Sequence, residues 1–160
     1  MAAADSWAYR QKLERTQVIS KREAALQALY GVLQGIAGVD VKRNENRPTK
    51  IPATGLMILR DGEIEQVETI LSPLRYLHQH RAEVEVLVQD PQQTDRDTLL
   101  DTLMQAVGNA VSVDNTLGSV VDIALSEPPE IIDEPVEGAA GIKAALVPIM
   151  LEYATDNPLT

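Results

Sequence analysis

The sequence predicts an α+β domain in which a mainly antiparallel sheet packs against two helices, with an N-terminal arm in front. Two stretches of apolar residues recur every three or four positions, from Ser20 and again from Thr94, and these predict the helices. Elsewhere apolar residues alternate with polar ones, which predicts strands. Since 160 residues make one domain of ordinary size, we expect an arm over residues 1–19 and a single domain over residues 20–160.

The first helix is predicted from its start, its apolar face and its end. Ser20 and Glu23 have the S-x-x-E spacing of a capping box, which satisfies backbone N–H groups at a helix start. The apolar face consists of Leu26, Leu29, Tyr30, Leu33 and Ile36. Gly35 and Gly38 follow, and we expect the helix to end there.

The next elements are predicted to be strands joined by a tight turn. We expect a short strand over residues 39–43, a loop over the proline-containing residues 44–52, and a strand over residues 55–60. Asp61 and Gly62 then favour the positive φ angles of a hairpin turn, so a return strand is expected over residues 63–71.

The clearest strand covers residues 76–88, whose alternate positions form one largely apolar face. That face consists of Tyr76, His78, His80, Ala82, Val84, Val86 and Val88. After a break at Asp90 and Pro91, Thr94 with Asp97 predicts the cap of the second helix.

The end of the chain is predicted to add two strands to the sheet. They cover residues 117–125 and 142–153, and an acidic loop over residues 127–141 separates them. Pro148 has no N–H to donate, so it places the final strand at a sheet edge or at a bulge.

Charge and composition exclude several classes of function. The net charge is −10: residues 1–50 hold nine basic and five acidic residues, whereas residues 51–160 hold five basic and nineteen acidic ones. A protein this acidic repels the phosphate backbone of nucleic acids. It also has no Phe, only four Tyr and one Trp, so it has few side chains that could stack on bases. The absence of Cys excludes disulfides and thiolate chemistry.

The sequence predicts a soluble, cytoplasmic protein with no membrane partner. Its apolar stretches are far shorter than the ~20 residues of a membrane-spanning helix. The first five residues lack the basic and apolar pattern of a signal peptide.

Residues that could carry chemistry are few, and we expect neither an enzyme nor a cofactor. His78 and His80 lie on one face of a strand, as metal ligands can, but the face continues as Ala82 and Val84 without a carboxylate. No serine lies in a G-x-S-x-G elbow and no glycine-rich phosphate loop is present. The acidic residues after Glu127 lack EF-hand spacing and predict a solvated loop instead of a calcium site.

The N-terminal arm is predicted to bind a partner. Trp7 and Tyr9 lie next to Arg10, Lys12 and Arg15, and aromatic residues and arginine are enriched at protein interfaces.

Five segments together resemble the tail terminator proteins of long-tailed phages and of phage-like gene transfer agents. They are KREAALQALYGVL, GLMILRDGEIE, RAEVEVLVQ, TDRDTLLDTLMQAVGNAV and PVEGAAGIKAALVPIMLEYAT, within about residues 20–155. The resemblance implies a ring, hexameric in that family, that caps the tail tube, ends its polymerisation and joins it to the head connector. It also implies a place at the head-proximal end of the virion tail, after synthesis in the cytoplasm of a bacterial host.

In such a ring DNA is only passing cargo, and acidic residues are expected to face its path. We expect these residues at the lumen or its rim: Asp61, Glu130, Asp133, Glu134 and Glu137. The expected partners are further copies of the chain, the tail-tube protein and the connector or neck protein.

Three alternatives stay open at this point. A neck, head-completion or tail-tube protein would share the size and charge of this chain. A small enzyme of the acyltransferase type would need a nucleophile beside a base, and no motif indicates one. The third alternative is an interaction domain without catalysis.

Overall fold

The computed structural model describes residues 18–135, 137–138 and 140–160, which form a six-stranded, mainly antiparallel sheet and two helices. In chain order the elements are helix α1 (Lys21–Gln34), strands β1 (Asp40–Arg43), β2 (Leu56–Leu71) and β3 (Leu74–Gln89), helix α2 (Gln93–Val113), and strands β4 (Ile123–Ser126), β5 (Glu130–Glu134) and β6 (Ile142–Thr155). The predicted α+β class is confirmed. Almost all of the predicted arm lies outside the described residues.

The sheet is organised around two long strands at its centre. Its order is β1-β2-β3-β6-β4, and β5 pairs with β6 as well. β1 runs parallel to β2, and every other pairing is antiparallel. β3 and β6 pair without interruption from Tyr76 opposite Thr155 to Gln89 opposite Ile142.

Both helices pack on one face of the sheet, where the main core lies. α1 buries Leu26, Leu29 and Leu33, and α2 buries Leu100, Leu103, Val107 and Val111. They meet the buried side chains Met57 and Leu59 of β2, Ala82, Val84, Val86 and Val88 of β3, and Ala145, Val147, Ile149, Leu151 and Tyr153 of β6. The predicted apolar face of β3 is therefore confirmed over its inner half. A smaller cluster around Ile58 and Leu87 lies on the opposite face, beneath Ile51 of the preceding loop.

The two helix starts differ in how well the sequence predicted them. Ser20 caps α1 as expected, since its hydroxyl accepts from the Glu23 backbone N–H at 3.2 Å. α2, in contrast, starts at Gln93, and the predicted cap by Thr94 and Asp97 is wrong. Gln92 is the N-cap residue and makes no side-chain cap bond, while the Asp97 carboxylate accepts from Lys143 on β6 at 2.6 Å.

The predicted turn at Asp61 and Gly62 is wrong, because β2 continues through both residues. Arg60 pairs with Glu83 and Glu63 pairs with Arg81, so Asp61 and Gly62 form a bulge opposite one residue of β3. A second irregularity follows between Gln66 and Glu68. The chain reverses only at Ser72 and Pro73, which are joined by a cis peptide bond.

The predicted strand over residues 117–125 is mostly a turn. Only Ile123–Ser126 forms a strand. In the residues that precede this strand, the Asp114 carboxylate accepts from the backbone N–H groups of Thr116 and Gly118 at 2.9 and 2.8 Å. This local satisfaction of backbone donors competes with strand pairing. The predicted acidic loop over residues 127–141 is also partly wrong, because Glu130–Glu134 forms strand β5.

β6 is an internal strand, so the placement of Pro148 at a sheet edge is wrong. Ser126 pairs with Ile149 and Glu130 pairs with Leu146, which sets residues 127–129 opposite residues 147–148. The sheet is irregular there, as the alternative of a bulge anticipated. The Glu127 N–H donates to the Pro148 carbonyl at 2.9 Å. The imide nitrogen of Pro148 faces the same irregular segment, where no ladder bond is lost.

Replacing Gly62 tests whether the bulge is an obligatory feature of β2. Gly62 has φ of 71°, and a Cβ there would overlap the Arg81 carbonyl oxygen. We expect Gly62→Ala to lower the free energy of unfolding by about 2 kcal/mol or more, measured by urea denaturation. Gly31→Ala is the matched control, because a Cβ in that α1 position meets nothing within 4 Å. It should raise the free energy of unfolding by about 0.5–1 kcal/mol. Equal stability of Gly62→Ala and the parent would contradict the bulge.

Candidate assembly surface

The outer part of the β2–β3 hairpin has a free edge. We define the outer hairpin as residues 63–81. β1 pairs only with Leu56–Leu59 of β2, so within the described residues no strand lies beside β2 beyond that point. Exposed fractions of 39–79% are found for the apolar side chains Ile64, Val67, Ile70, Leu71 and Leu74. Unpaired backbone groups beside exposed apolar side chains are what a docking strand requires.

The two faces of the outer hairpin differ in charge. Ile64 and Gln66 pair with His80 and His78, which belong to the helix side of β3. Glu63, Glu65 and Glu68 pair with Arg81, Gln79 and Leu77 and so lie on the other face. No Lys or Arg occurs in residues 63–71. One face of this edge therefore carries both apolar and polar side chains, and the other face is acidic.

Arg43 holds the base of the outer hairpin against α1. Its guanidinium donates to both carboxylate oxygens of Glu23, at 2.7 and 2.9 Å, and to Asp61 Oδ1 at 3.0 Å. Arg22 adds an ion pair with Asp61 at 3.6 Å. The hydrogen bonds from Arg43 lower the pKa of Glu23 from 4.5 to about 2. The pair thus stays ionised at all physiological pH values, and it fixes the bulge relative to α1.

A second ionic network lies on the opposite face of the sheet. Glu85 is 7% exposed and accepts from Arg47 at 2.7 Å and from Arg60 at 3.0 Å. Burial raises the pKa of Glu85, but the bonds from the two arginines outweigh it and the net shift is downward. Arg47 also bonds to Glu134 at 2.8 Å. A buried carboxylate with two cationic partners is satisfied, and removing either arginine leaves it partly uncompensated.

The two histidines are parts of a hydrogen-bonded layer under the outer hairpin. His80 is fully buried, and its Nε2 lies 2.6 Å from the Asp61 carbonyl oxygen. Since a carbonyl only accepts, Nε2 carries the proton, and Nδ1 accepts from the Tyr153 hydroxyl at 3.1 Å. His78 Nε2 lies 2.8 Å from Thr155 Oγ1. These bonds place both histidines in the buried interior, and the described residues contain no group of three metal-ligating side chains.

A cleft of about 430 Å³ separates the outer hairpin from the start of α1. Ile64 and Gln66 line it from β2, Ser20 lines it from the helix cap, and the chain end contributes Pro158 and Leu159. Both ends of the described chain therefore meet at the helix side of the outer hairpin.

The acidic residues predicted for a lumen do not form one cluster. Asp61 lies in the β2 bulge, bound by Arg43, and Glu134 lies on β5, bound by Arg47. Glu130 and Asp133 on β5, and Glu137 after it, are exposed. β2 and β5 belong to opposite sides of the β3–β6 pair. The exposed members thus share only the β5 side of the sheet.

The partner-binding residues predicted in the arm, Trp7, Tyr9, Arg10, Lys12 and Arg15, lie outside the described residues. The sequence did not predict the outer hairpin as a surface, because residues 63–71 were interpreted only as a return strand. The run EIEQVETIL, with its three glutamates, was the available signal that this strand is not covered.

Comparison of the sequence with protein-family models and with curated proteins found no match. Of the described helices, none combines the length and apolar composition needed to cross a bilayer.

The histidine layer makes stability depend on pH. Burial lowers the pKa of both His78 and His80 below the ordinary 6.5. As pH falls below about 6.5 the unfolded chain therefore takes up protons first, and the folded state loses stability. We expect the free energy of unfolding, from urea titrations, to decline between pH 7.5 and 5.5, and to decline less in His80→Gln. His78→Gln, with His80 intact, should keep more of the decline. Parallel pH profiles for the parent and His80→Gln would rule this out.

Proposed function

We propose that this protein is a structural virion protein that assembles with copies of itself into a ring. By its resemblance to tail terminators the ring is hexameric, caps the tail tube, ends tube polymerisation and joins the tube to the head connector, with DNA passing through. The observation that carries the proposal is the outer hairpin, whose free edge and exposed apolar side chains suit contact with another protein.

The position of this edge favours a closed, head-to-tail assembly. The outer hairpin lies on the β2 side of the sheet, and β4 and β5 form the opposite side. An outer hairpin that meets a different surface of the next subunit gives a heterologous contact, and such contacts form a ring when the rotation between subunits closes.

The charge of the chain suits a channel that DNA must leave freely. At −10 per chain, six copies carry about sixty formal negative charges. Salt screens exposed charges beyond ~8 Å, but a duplex that nearly fills a channel stays within that distance. Repulsion then keeps phosphates from adhering to the wall.

The bonding of His80 supports a role without catalysis. Both ring nitrogens of His80 bond within the core, to Tyr153 and to the Asp61 backbone, so neither is free to act as a general base.

The assembly state separates the proposal from its rivals. We expect native mass spectrometry of the purified chain at tens of micromolar to show one closed oligomer, and electron microscopy to show rings that also bind the ends of tail tubes. Self-polymerised tubes would favour a tail-tube subunit. A strictly monomeric mass, with no binding to tube ends, would refute the ring.

Charge reversal tests whether the β5 side lines the DNA path. Glu130, Asp133 and Glu137 are exposed, whereas Glu134 is paired with Arg47 and is left unchanged. Replacing these three residues by lysine should preserve the ring but slow DNA ejection from particles, since the wall would then attract phosphates. The control carries the same charge change at Asp40, Asp95 and Asp101, which are exposed on β1 and α2. Ejection at the parent rate by the first variant would place these residues away from the lumen.

A further inference from the structure

We propose that the free edge of β2 is covered by residues 8–15 of a neighbouring copy, which add to the sheet as an extra strand. This inference rests on the proposed ring and names the segment that links its subunits.

The edge itself specifies an extended partner. Residues 63–71 of β2 pair with β3 on one side only, so alternate backbone N–H and C=O groups point outward. A bound strand would satisfy them and would cover part of Ile64, Val67 and Leu71, which are 42%, 47% and 79% exposed. Strand addition of this kind draws affinity from the backbone and specificity from alternate side chains.

The other strand edge of the molecule is a poor partner for β2. Residues 123–134, which include β4 and β5, hold four acidic residues and no basic one. Residues 63–71 hold three glutamates and no basic residue. Direct pairing of these edges between copies would bring like charges together, which destabilises strand pairing. The strand that covers β2 should be basic.

The segment with the required pattern is AYRQKLER, residues 8–15. In an extended strand one face holds Ala8, Arg10, Lys12 and Glu14, and the other holds Tyr9, Gln11, Leu13 and Arg15. The edge has the complementary order, with Glu63, Glu65 and Glu68 on one face and Ile64, Gln66 and Leu71 on the other. One orientation therefore sets Arg10 and Lys12 against the glutamates and Tyr9 and Leu13 against Ile64 and Leu71, with Glu14 and Arg15 at the end of the segment nearest the domain.

The place where this segment leaves the domain agrees with that partner. Val18 is 95% exposed, and Ser20, two residues on, lines the same cleft as Ile64 and Gln66. The described chain thus starts beside the outer hairpin. Only residues 16 and 17 lie between this segment and Val18, so an extended linker spans about 10 Å. The exchange therefore requires the β2 edge of the next copy to lie within about that distance of Val18, which makes the segment a link between adjacent subunits of the ring.

Charge exchange tests the pairing. Glu63→Lys, Glu65→Lys and Glu68→Lys together should raise the concentration at which half the protein is assembled by about tenfold. Arg10→Glu with Lys12→Glu should act likewise, and combining the two sets should restore most of the loss. Lysine at Asp95, Asp101 and Asp122 is the control for net charge and should leave the midpoint unchanged. Far-ultraviolet circular dichroism confirms that each variant is folded.

The outcomes separate this inference from the function it rests on. If the parent chain itself stays monomeric, the ring fails. If the parent assembles and the variant with lysine at positions 63, 65 and 68 assembles at the same midpoint, the ring stands and the strand exchange is overturned.

Cysteine cross-linking shows which copy supplies the strand, because the chain has no cysteine of its own. A tagged chain with Lys12→Cys is mixed with an untagged chain carrying Glu65→Cys and is oxidised after assembly. We expect a tagged-untagged disulfide dimer, and none with Gln105→Cys on α2 in place of Glu65→Cys. A second variant carries both Lys12→Cys and Glu65→Cys in one chain. If its disulfide forms only within single copies, the segment covers the edge of its own subunit and exchange is overturned.

Discussion

The uninterrupted antiparallel pairing of β3 with β6 is the constraint on which the other elements depend. It buries apolar side chains toward the helices along its inner half, from Ala82 to Val88 and from Ala145 to Leu151. α1 and α2 bury their leucines and valines against that surface. β2 and β1 then extend the sheet on one side, and β4 and β5 extend it on the other. Without this ladder neither helix has a surface to cover.

The length of β2 and β3 beyond the helices creates the candidate assembly surface. The bulge at Asp61 and Gly62 marks the point where β2 passes from buried to exposed. Arg43 ties that point to Glu23 at the start of α1, and His80 bonds the Asp61 carbonyl from below. The outer hairpin is thus a braced extension of the core.

The acidic charge of the chain is divided between structural and exposed roles. Glu23, Asp61, Glu85 and Glu134 bind arginines and hold elements together. Glu63, Glu65 and Glu68, and Glu130 and Asp133 on the far side of the sheet, remain exposed. The exposed groups set the electrostatic character of both sheet edges. They disfavour contact between these two edges and suit a basic partner, and the strand-exchange proposal assigns that part to residues 8–15.

The sequence by itself determined the fold class, the start and end of α1, and the buried face of β3. Each of these follows from short-range periodicity or from a cap such as Ser20, whose partners lie within a few residues. It did not determine where β2 turns, because a glycine with positive φ serves a tight turn and a bulge equally well. Pairing with β3 decided between them. Pro148 likewise excluded a backbone hydrogen bond from its own nitrogen, but the sequence did not specify on which side of β6 that bond would be missing. The distant arginine partners of Asp61 and Glu134 came from tertiary packing alone, since residues 43 and 47 precede them by 18 and 87 positions.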